Sequence, residues 1–250
     1  MECAAEMAAP AVLVTGSSRG IGLAIARRFA RANYQVAFNC LRRQPEMHKA
    51  IDSLRKDNPH LLGAAADVSD YERAADLFAQ IHQTFGGLDI LVNNAGAEYF
   101  GLFQDMRPLD WENIVRTNLF SVFNCCRLAI PDMVARKKGV ILNISSVWGT
   151  AGASCEAVYA ASKGAVNAFT KSLAKELGPS GVRVNAIACG VMETDMNARL
   201  TPEEKEAAAE NVPLARFGMP EEAADLAFYL ASDQASYLTG QVVNLDGGWM

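Results

Sequence analysis

The sequence predicts an α/β protein: a doubly wound, parallel, seven-stranded sheet with helices on both faces. Two observations predict it. Short β-rich runs alternate with longer helical patterns to the end of the chain, and the helices are long enough to carry crossovers between parallel strands. No internal repeat, linker or composition shift interrupts the alternation. Residues 10–250 are therefore expected to form one domain, preceded by a flexible leader over 1–9.

The elements follow in order. Ala11-Val12-Leu13-Val14-Thr15 reads as a first buried strand, followed by a helix from about Gly20 to Ala32. Gln35 to Asn39 is a second strand, about 45–57 a helix, and Leu61 to Ala66 a third strand. Asp70 to Phe85 is helical, with Ala74, Leu77, Phe78 and Ile81 spaced for one apolar face. Leu88 to Val92 is the fourth strand. A long helix pattern from about Trp111 to Lys137 is either two helices or one kinked at Pro131, because proline removes a helical hydrogen bond. Val140 to Ile144 is the fifth strand. Ala157 to Leu177 is a helix stopped by Gly178-Pro179. Val182 to Ala188 is the sixth strand, 192–212 is polar and helix-prone, Glu221 to Ser232 is helical, and Gln241 to Leu245 is the last strand. A doubly wound sheet takes its ligand beyond the C-terminal strand ends, near the switch in strand order. The loops after strands one, four, five and six are thus the expected working surface.

Composition narrows the function. The 250 residues carry 28 acidic and 23 basic side chains, a net charge of −5, the wrong sign for a nucleic-acid grip. No stretch approaches the ~18 unbroken apolar residues of a membrane span. The start, Met1 to Met7, is acidic and lacks the basic region of a secretion signal. Cysteines stand at 3, 40, 125, 126, 155 and 189 without metal or redox spacing, which suits free thiols in a reducing cytoplasm. Three histidines, His48, His60 and His82, leave little material for a metal site, and none is expected.

After the first strand comes Thr15-Gly16-Ser17-Ser18-Arg19-Gly20-Ile21-Gly22. Glycines permit a tight turn and close backbone approach, and the helix N-terminus that follows offers free N–H groups to a pyrophosphate. A plain strand–helix turn would use the same residues; the position after the first strand favours phosphate. An acid ~20 positions on would hold the ribose 2′-hydroxyl of NAD. Here Asn39-Cys40-Leu41-Arg42-Arg43 contains no acid. Arg42 or Arg43, with Arg19, suits a 2′-phosphate, so the expected cofactor is NADP(H).

Tyr159 and Lys163 are four residues apart and share a helix face. A free phenol titrates near ~10, and a nearby ammonium together with the positive nicotinamide of an oxidised cofactor lowers that value. Tyr159 would then exchange a proton with an alcohol or ketone. Alone, such a pair is equally a surface feature. Ser145-Ser146 after strand five, Asn93-Asn94-Ala95-Gly96 after strand four, and Asn118 inside the next helix shift the balance. Asparagine is a poor helix former, and one that interrupts a helix is placed to hold a water, giving a path Tyr159–Lys163–water–Asn118.

These motifs together resemble the short-chain dehydrogenase/reductase family across essentially all of residues 11 to 250. The resemblance implies a single-domain Rossmann fold. It makes Tyr159 the general acid/base and Ser146 the group that orients the carbonyl. Lys163 binds the nicotinamide ribose, and Asn118 anchors the relay water. It adds Asp67-Val68 at the adenine, Asn94, Ala95 and Gly96 along the cofactor, and Met192 and Thr194 over the nicotinamide. Cys189-Gly190 departs from the usual Pro-Gly. Within the family, Glu193 to Met196 and the ending Leu245 to Trp249 are similar to the 3-oxoacyl-[acyl-carrier-protein] reductase type, which implies an NADPH-dependent ketoreductase. Arg136-Lys137-Lys138 matches a carrier-docking patch, although Ser180 replaces a second basic residue. Ser146 to Gly149, Gly152 to Glu156 and Asn244 to Trp249 resemble the elongation factor P 5-aminopentanone reductases, whose ketone is carried on a protein lysine. Glu98 or Glu156 would then meet a substrate ammonium. Tyr99, Phe100, Phe103 and Trp148 give an apolar wall that equally suits a hydroxysteroid or small ketone. A redox-sensing regulator of the same fold would be marked by loss of Tyr159 or Lys163, and both are present. The resemblance implies a cytoplasmic homotetramer.

Overall fold

A computed structural model describes residues 9–197 and 200–250; the expected leader, save Ala9, lies outside the described residues. The sheet is all-parallel and seven-stranded, in the order β3-β2-β1-β4-β5-β6-β7. Its strands are β1 (Ala11–Val14), β2 (Gln35–Cys40), β3 (Leu61–Ala65), β4 (Ile90–Asn93), β5 (Gly139–Ser146), β6 (Val182–Cys189) and β7 (Val242–Leu245). The order reverses between β1 and β4, which makes the loops after those strands the switch point.

Alternate strand residues feed two apolar layers, as a period of two requires. Val12, Val14, Phe38, Val92 and Ile144 face α1 (Gly20–Arg31), α2 (Gln44–Leu54) and α9 (Pro220–Ala231). Leu13, Ala37, Leu91 and Ile141 face α3 (Tyr71–Phe85), α5 (Ser121–Ala135) and α7 (Ala157–Leu177). Phe29 of α1 is fully buried between Tyr34 and Phe228, with ring centroids 5.2 and 5.3 Å away. This cluster fixes α1 against α9 and so fixes the direction in which the α1 N-terminus points.

Most expected elements recur within a few residues of their ends. The helical pattern from 111 to 137 resolves into two helices. The α4 helix begins earlier, at Pro108, and spans Pro108–Val115; proline at the first position needs no donor. The α5 helix runs through Pro131. Between them Arg116–Phe120 forms a π turn centred on Asn118, so the interruption falls at the asparagine and not at the proline. The polar stretch 192–212 holds a short 3₁₀ turn at Asp195–Asn197 and then α8 (Pro202–Glu210). Thr201 caps α8, accepting from the Glu204 N–H while the Glu204 carboxylate accepts from the Thr201 N–H. A short α6 (Trp148–Ala151) follows β5 directly.

Candidate active site

The loops after β1 and β4 are clasped by side chains. The Thr15 hydroxyl accepts from the Asn94 and Ala95 N–H groups, both at 3.0 Å. The Asn94 amide donates back to the carbonyls of Thr15 (2.9 Å) and Gly16 (3.1 Å). This closeness dictates two glycines. Gly16 has φ +65°, and a Cβ there would lie 2.9 Å from the Ala95 Cα; a Cβ on Gly22 would lie 2.3 Å from the Asn94 amide nitrogen. From the other side, Asn39 holds the loop: its carbonyl accepts from the Ser17 N–H at 2.8 Å, and its N–H donates to the Ser17 hydroxyl at 3.0 Å. No side chain caps the α1 N-terminus, which leaves its N–H groups directed at the loop's mouth.

Both N-terminal arginines stand at that mouth. Arg19 and Arg43 each direct Nη1 at the Asp195 carboxylate, at 3.2 and 3.5 Å. The structure thus brings Arg43 to Arg19 through a shared carboxylate. Asp67 and Val68 lie just past β3; the Asp67 carboxylate accepts from the Ser69 N–H and hydroxyl. The Met192 side chain turns into the core against Gly218, whereas Thr194 lies over Gly20.

The reactive groups gather where β5 ends and α7 begins. Ser145 and Ser146 belong to β5 itself, so their side chains point to opposite faces. Ser145 donates to the Asn167 side-chain oxygen (2.6 Å). Ser146 accepts from the Trp148 N–H at 3.2 Å and lies near enough to the Tyr159 phenol to act on its titration. One turn on, the buried Lys163 donates from Nζ to the Ile144 carbonyl at 2.8 Å. Gly96 fits between this ammonium and Asn118: a Cβ there would be 3.4 Å from Asn118 Oδ1 and 3.7 Å from Lys163 Nζ.

The Asn118 side chain is fully engaged. Its oxygen accepts from the Ala97 N–H (2.7 Å), and its nitrogen donates to the Ala97 carbonyl (2.9 Å) and the Ser162 hydroxyl (3.0 Å). Ser162 in turn donates to the Tyr159 carbonyl at 2.7 Å. The π turn therefore ties the β4 loop to the turn of α7 that carries the tyrosine.

Electrostatics differ from the sequence expectation at the phenol. Burial pushes Tyr159 up from its ordinary value; the Ser146 hydroxyl opposes this, and Cys189, Glu156 and Glu98 add to it. The Lys163 ammonium, 5.7 Å from the ring centre, does not offset the burial. Burial also lowers Lys163 to about 8.

Of the expected pocket residues, Tyr99 and Glu156 line one depression with Phe103, Met106, Cys155 and Val158. Trp148 lies apart from them, edge-on to Trp249 at 4.8 Å. Sequence reasoning missed Trp249 as a neighbour of the site. The signal was the preceding Asp246-Gly247-Gly248 turn, in which the Asp246 carboxylate accepts from the Gly248 N–H and bends the C-terminal segment back. The basic run Arg136-Lys137-Lys138 precedes β5, at the opposite end of that strand from Ser146, roughly 25 Å away at ~3.3 Å per residue. Arg136 is engaged there by Asp89 and Asp132, at 2.6 and 3.1 Å.

The chain belongs to the short chain dehydrogenase family, whose pattern it matches over residues 10–205. It is thereby an oxidoreductase of a family that implies a nicotinamide cofactor. Among curated relatives, it is 39% identical over 236 residues to a Staphylococcus aureus 3-oxoacyl-[acyl-carrier-protein] reductase FabG, covering 94% of this chain and 96% of that one. A Thermotoga maritima protein of the same name is 38% identical over 240 residues, 94% and 96% of the two chains. An uncharacterized oxidoreductase of Bacillus subtilis, YmfI, is 38% identical over 240 residues, 95% and 97%. No helix among the described residues is long and apolar enough to cross a membrane, and no group of potential metal ligands occurs among them.

The Lys163 environment makes a direct prediction. Its ammonium should be lost as the pH rises through about 8, well below the ordinary 10.5. An NMR titration of lysine-labelled protein should contain one resonance with that midpoint, and Lys163→Met should delete it. A midpoint near 10.5 for that resonance would contradict the burial argument.

Proposed function

We propose that the chain is an NADPH-dependent ketoreductase of the 3-oxoacyl type, with Tyr159 as general acid. The observation that carries this reading is the Ser146–Tyr159 hydroxyl pair beside a buried Lys163 ammonium, on the same sheet edge as the glycine loop. The donor set fits the cofactor. The α1 N-terminus and the Gly16–Gly22 backbone would take the pyrophosphate, Asp67 and Val68 the adenine, and Arg19 with Arg43 the 2′-phosphate. Asn94, Ala95, Gly96, Thr194 and Lys163 would line the nicotinamide ribose and ring. When bound, the nicotinamide supplies the hydride.

The chain's own groups handle the proton. Ser146 donates a hydrogen bond to the ketone oxygen and orients it. Tyr159 gives its phenolic proton to that oxygen as negative charge develops there. The Lys163 ammonium stabilises the phenolate left behind, and Asn118 keeps Tyr159 in register through Ser162. The phenol holds its proton at neutral pH, as donation to a ketone oxygen requires.

Two substrate readings follow from different observations. The names of the curated relatives favour a 3-oxoacyl thioester on a carrier protein. Glu98 and Glu156 both act electrostatically on Tyr159, which favours a ketone bearing an ammonium. We also propose a homotetramer, supported by Phe120 and Phe123 exposed on the π turn and α5 and by Leu109 exposed on α4. Light scattering at micromolar concentration should give four times the chain mass, and a monomer would refute the assembly.

Tyr159→Phe keeps the ring and removes the donor. Its kcat for ketone reduction should fall ~10²–10⁴-fold with NADPH affinity nearly intact; near-native turnover would end the mechanism.

Glu156→Gln separates the substrate readings. If the ketone is cationic, this change should lower kcat/KM for an amino-ketone by roughly five- to a hundred-fold, the range from an exposed to a desolvated ion pair. An acetoacetyl thioester or a neutral steroid ketone should be nearly unaffected. An equal effect on charged and neutral ketones would leave the 3-oxoacyl reading standing.

A further inference from the structure

Arg19 and Arg43 come from different helix starts: Arg19 precedes α1 and Arg43 precedes α2. Their guanidiniums nevertheless converge on a single oxygen, Oδ2 of Asp195, at 3.2 and 3.5 Å. Asp195 belongs to the segment after β6, which is distant in sequence from both. The residue before it, Thr194, lies over the glycine loop, its Cγ2 3.5 Å from where a Cβ on Gly20 would be. One carboxylate of the β6–α8 connection thus sits between the two cations at the rim of the proposed dinucleotide site.

A carboxylate and a phosphate present the same chemistry to a guanidinium: anionic oxygens that accept its N–H donors. A 2′-phosphate drawn to Arg19 and Arg43 meets an anion already paired with both. Either it displaces Asp195, losing two ion pairs, or it shares the arginines with a like charge beside it. Both routes weaken phosphate binding, and neither touches a ligand that lacks the 2′-phosphate.

We propose that Asp195 is a specificity-determining residue for the cofactor, an internal anion that competes with the 2′-phosphate for Arg19 and Arg43 and so tempers the preference for NADP(H) over NAD(H). The proposal rests on the NADP(H) reading above. The three side chains are about half exposed, with relative exposures of 48%, 48% and 57%, so solvent and salt limit the effect. By linkage the competition is reciprocal: occupation of the arginines by phosphate loosens the hold of Asp195 on the rim by the same factor.

The test is equilibrium binding with the full chain at low ionic strength, by calorimetry, with 2′,5′-ADP and 5′-AMP as probes. In D195N the carboxylate becomes a neutral amide of the same shape. Affinity for 2′,5′-ADP should rise about three- to ten-fold, the range two exposed ion pairs supply, while 5′-AMP affinity stays unchanged. The gain should shrink in an R43A background, because coupled groups are not additive, and it should fade at high salt. Wild-type protein that prefers 2′,5′-ADP, with no gain or a loss in D195N, overturns the role of Asp195 and leaves the NADP(H) reading intact. A gain that is equal for both probes also overturns it. Wild-type protein that binds both probes equally overturns the NADP(H) reading itself.

Discussion

A lysine ammonium in the interior with no carboxylate to offset it is the constraint around which the catalytic end is arranged. Taking such a charge out of water is costly unless polar groups replace the lost hydration. Here the Ile144 carbonyl accepts directly from Lys163, and the surrounding polar side chains are hydrogen-bonded to one another, with the buried Asn93 Oδ1 alone left without a partner among the described residues. Ser145 is joined to Asn167, Asn118 to Ser162, and Asn143 to Asn93 and Thr170. These pairs join β4, β5, the π turn and α7. A shift in any one of them would leave buried donors or acceptors unmatched, at about 1–3 kcal/mol each. The position of Tyr159, one turn before Lys163, is fixed by the same requirement.

The cofactor end is governed by close approach. The Thr15 and Asn94 clasp draws two loops together until no side chain fits at Gly16 or Gly22. What remains exposed there is backbone N–H and two arginines, a surface suited to phosphate. The two ends meet through β6. Its last residue, Cys189, is buried beside Tyr159 and Lys163, and the thiol is pushed up to about 12 by that burial. It is therefore a neutral packing group. Cys189 stands where the resemblance expects proline, and its carbonyl accepts from the Val147 N–H at 3.0 Å, with the register Ser146 opposite Cys189 held in the β5–β6 pairing.

Much of this was legible in the sequence because it rests on local pattern. Apolar runs of strand length, the glycines at 16, 20 and 22, and the Tyr159 to Lys163 spacing all report geometry within one or two turns of chain. The break at Asn118 was legible too, since asparagine inside an apolar helix signals a side chain with business elsewhere. What was not legible depended on long-range convergence. The kink left open at Pro131 is one such case: α5 runs on through that proline, and the chain departs from the α-helix only at 116–120, where the amide of Asn118 finds Ala97, 21 residues away. Arg42 and Arg43 are adjacent in sequence, and only the start of α2 decides which one turns toward Arg19. The basic run at 136–138 matched a docking motif by order along the chain, while the direction of β5 carries it to the far end of the sheet from Ser146. The depth of burial, which raises the phenol in the protein alone, was not legible from the Tyr159 to Lys163 spacing.

The same distinction explains how the substrate end differs from the cofactor end. Around the glycine loop, recognition depends on backbone and charge placed by tightly packed strands. Around Tyr159, the walls come from the loop after β4, α6 with the turn before α7, and the C-terminal segment, and these carry the exposed aromatics Phe100 and Phe103 as well as Trp148 packed on Trp249. Such segments are positioned by a few contacts: Gly101 donates to the Cys155 carbonyl at 2.8 Å, Phe103 stacks on Trp111 at 5.9 Å, and Asp246 holds the final turn. Because loops vary with little cost to the core beneath them, the chemistry is set by the sheet edge and the choice of ketone by what these few contacts hold above it. The two carboxylates that act on Tyr159, Glu98 and Glu156, lie on those loops. Any selectivity they confer was therefore able to arise without disturbing the buried lysine on which the proposed reaction depends.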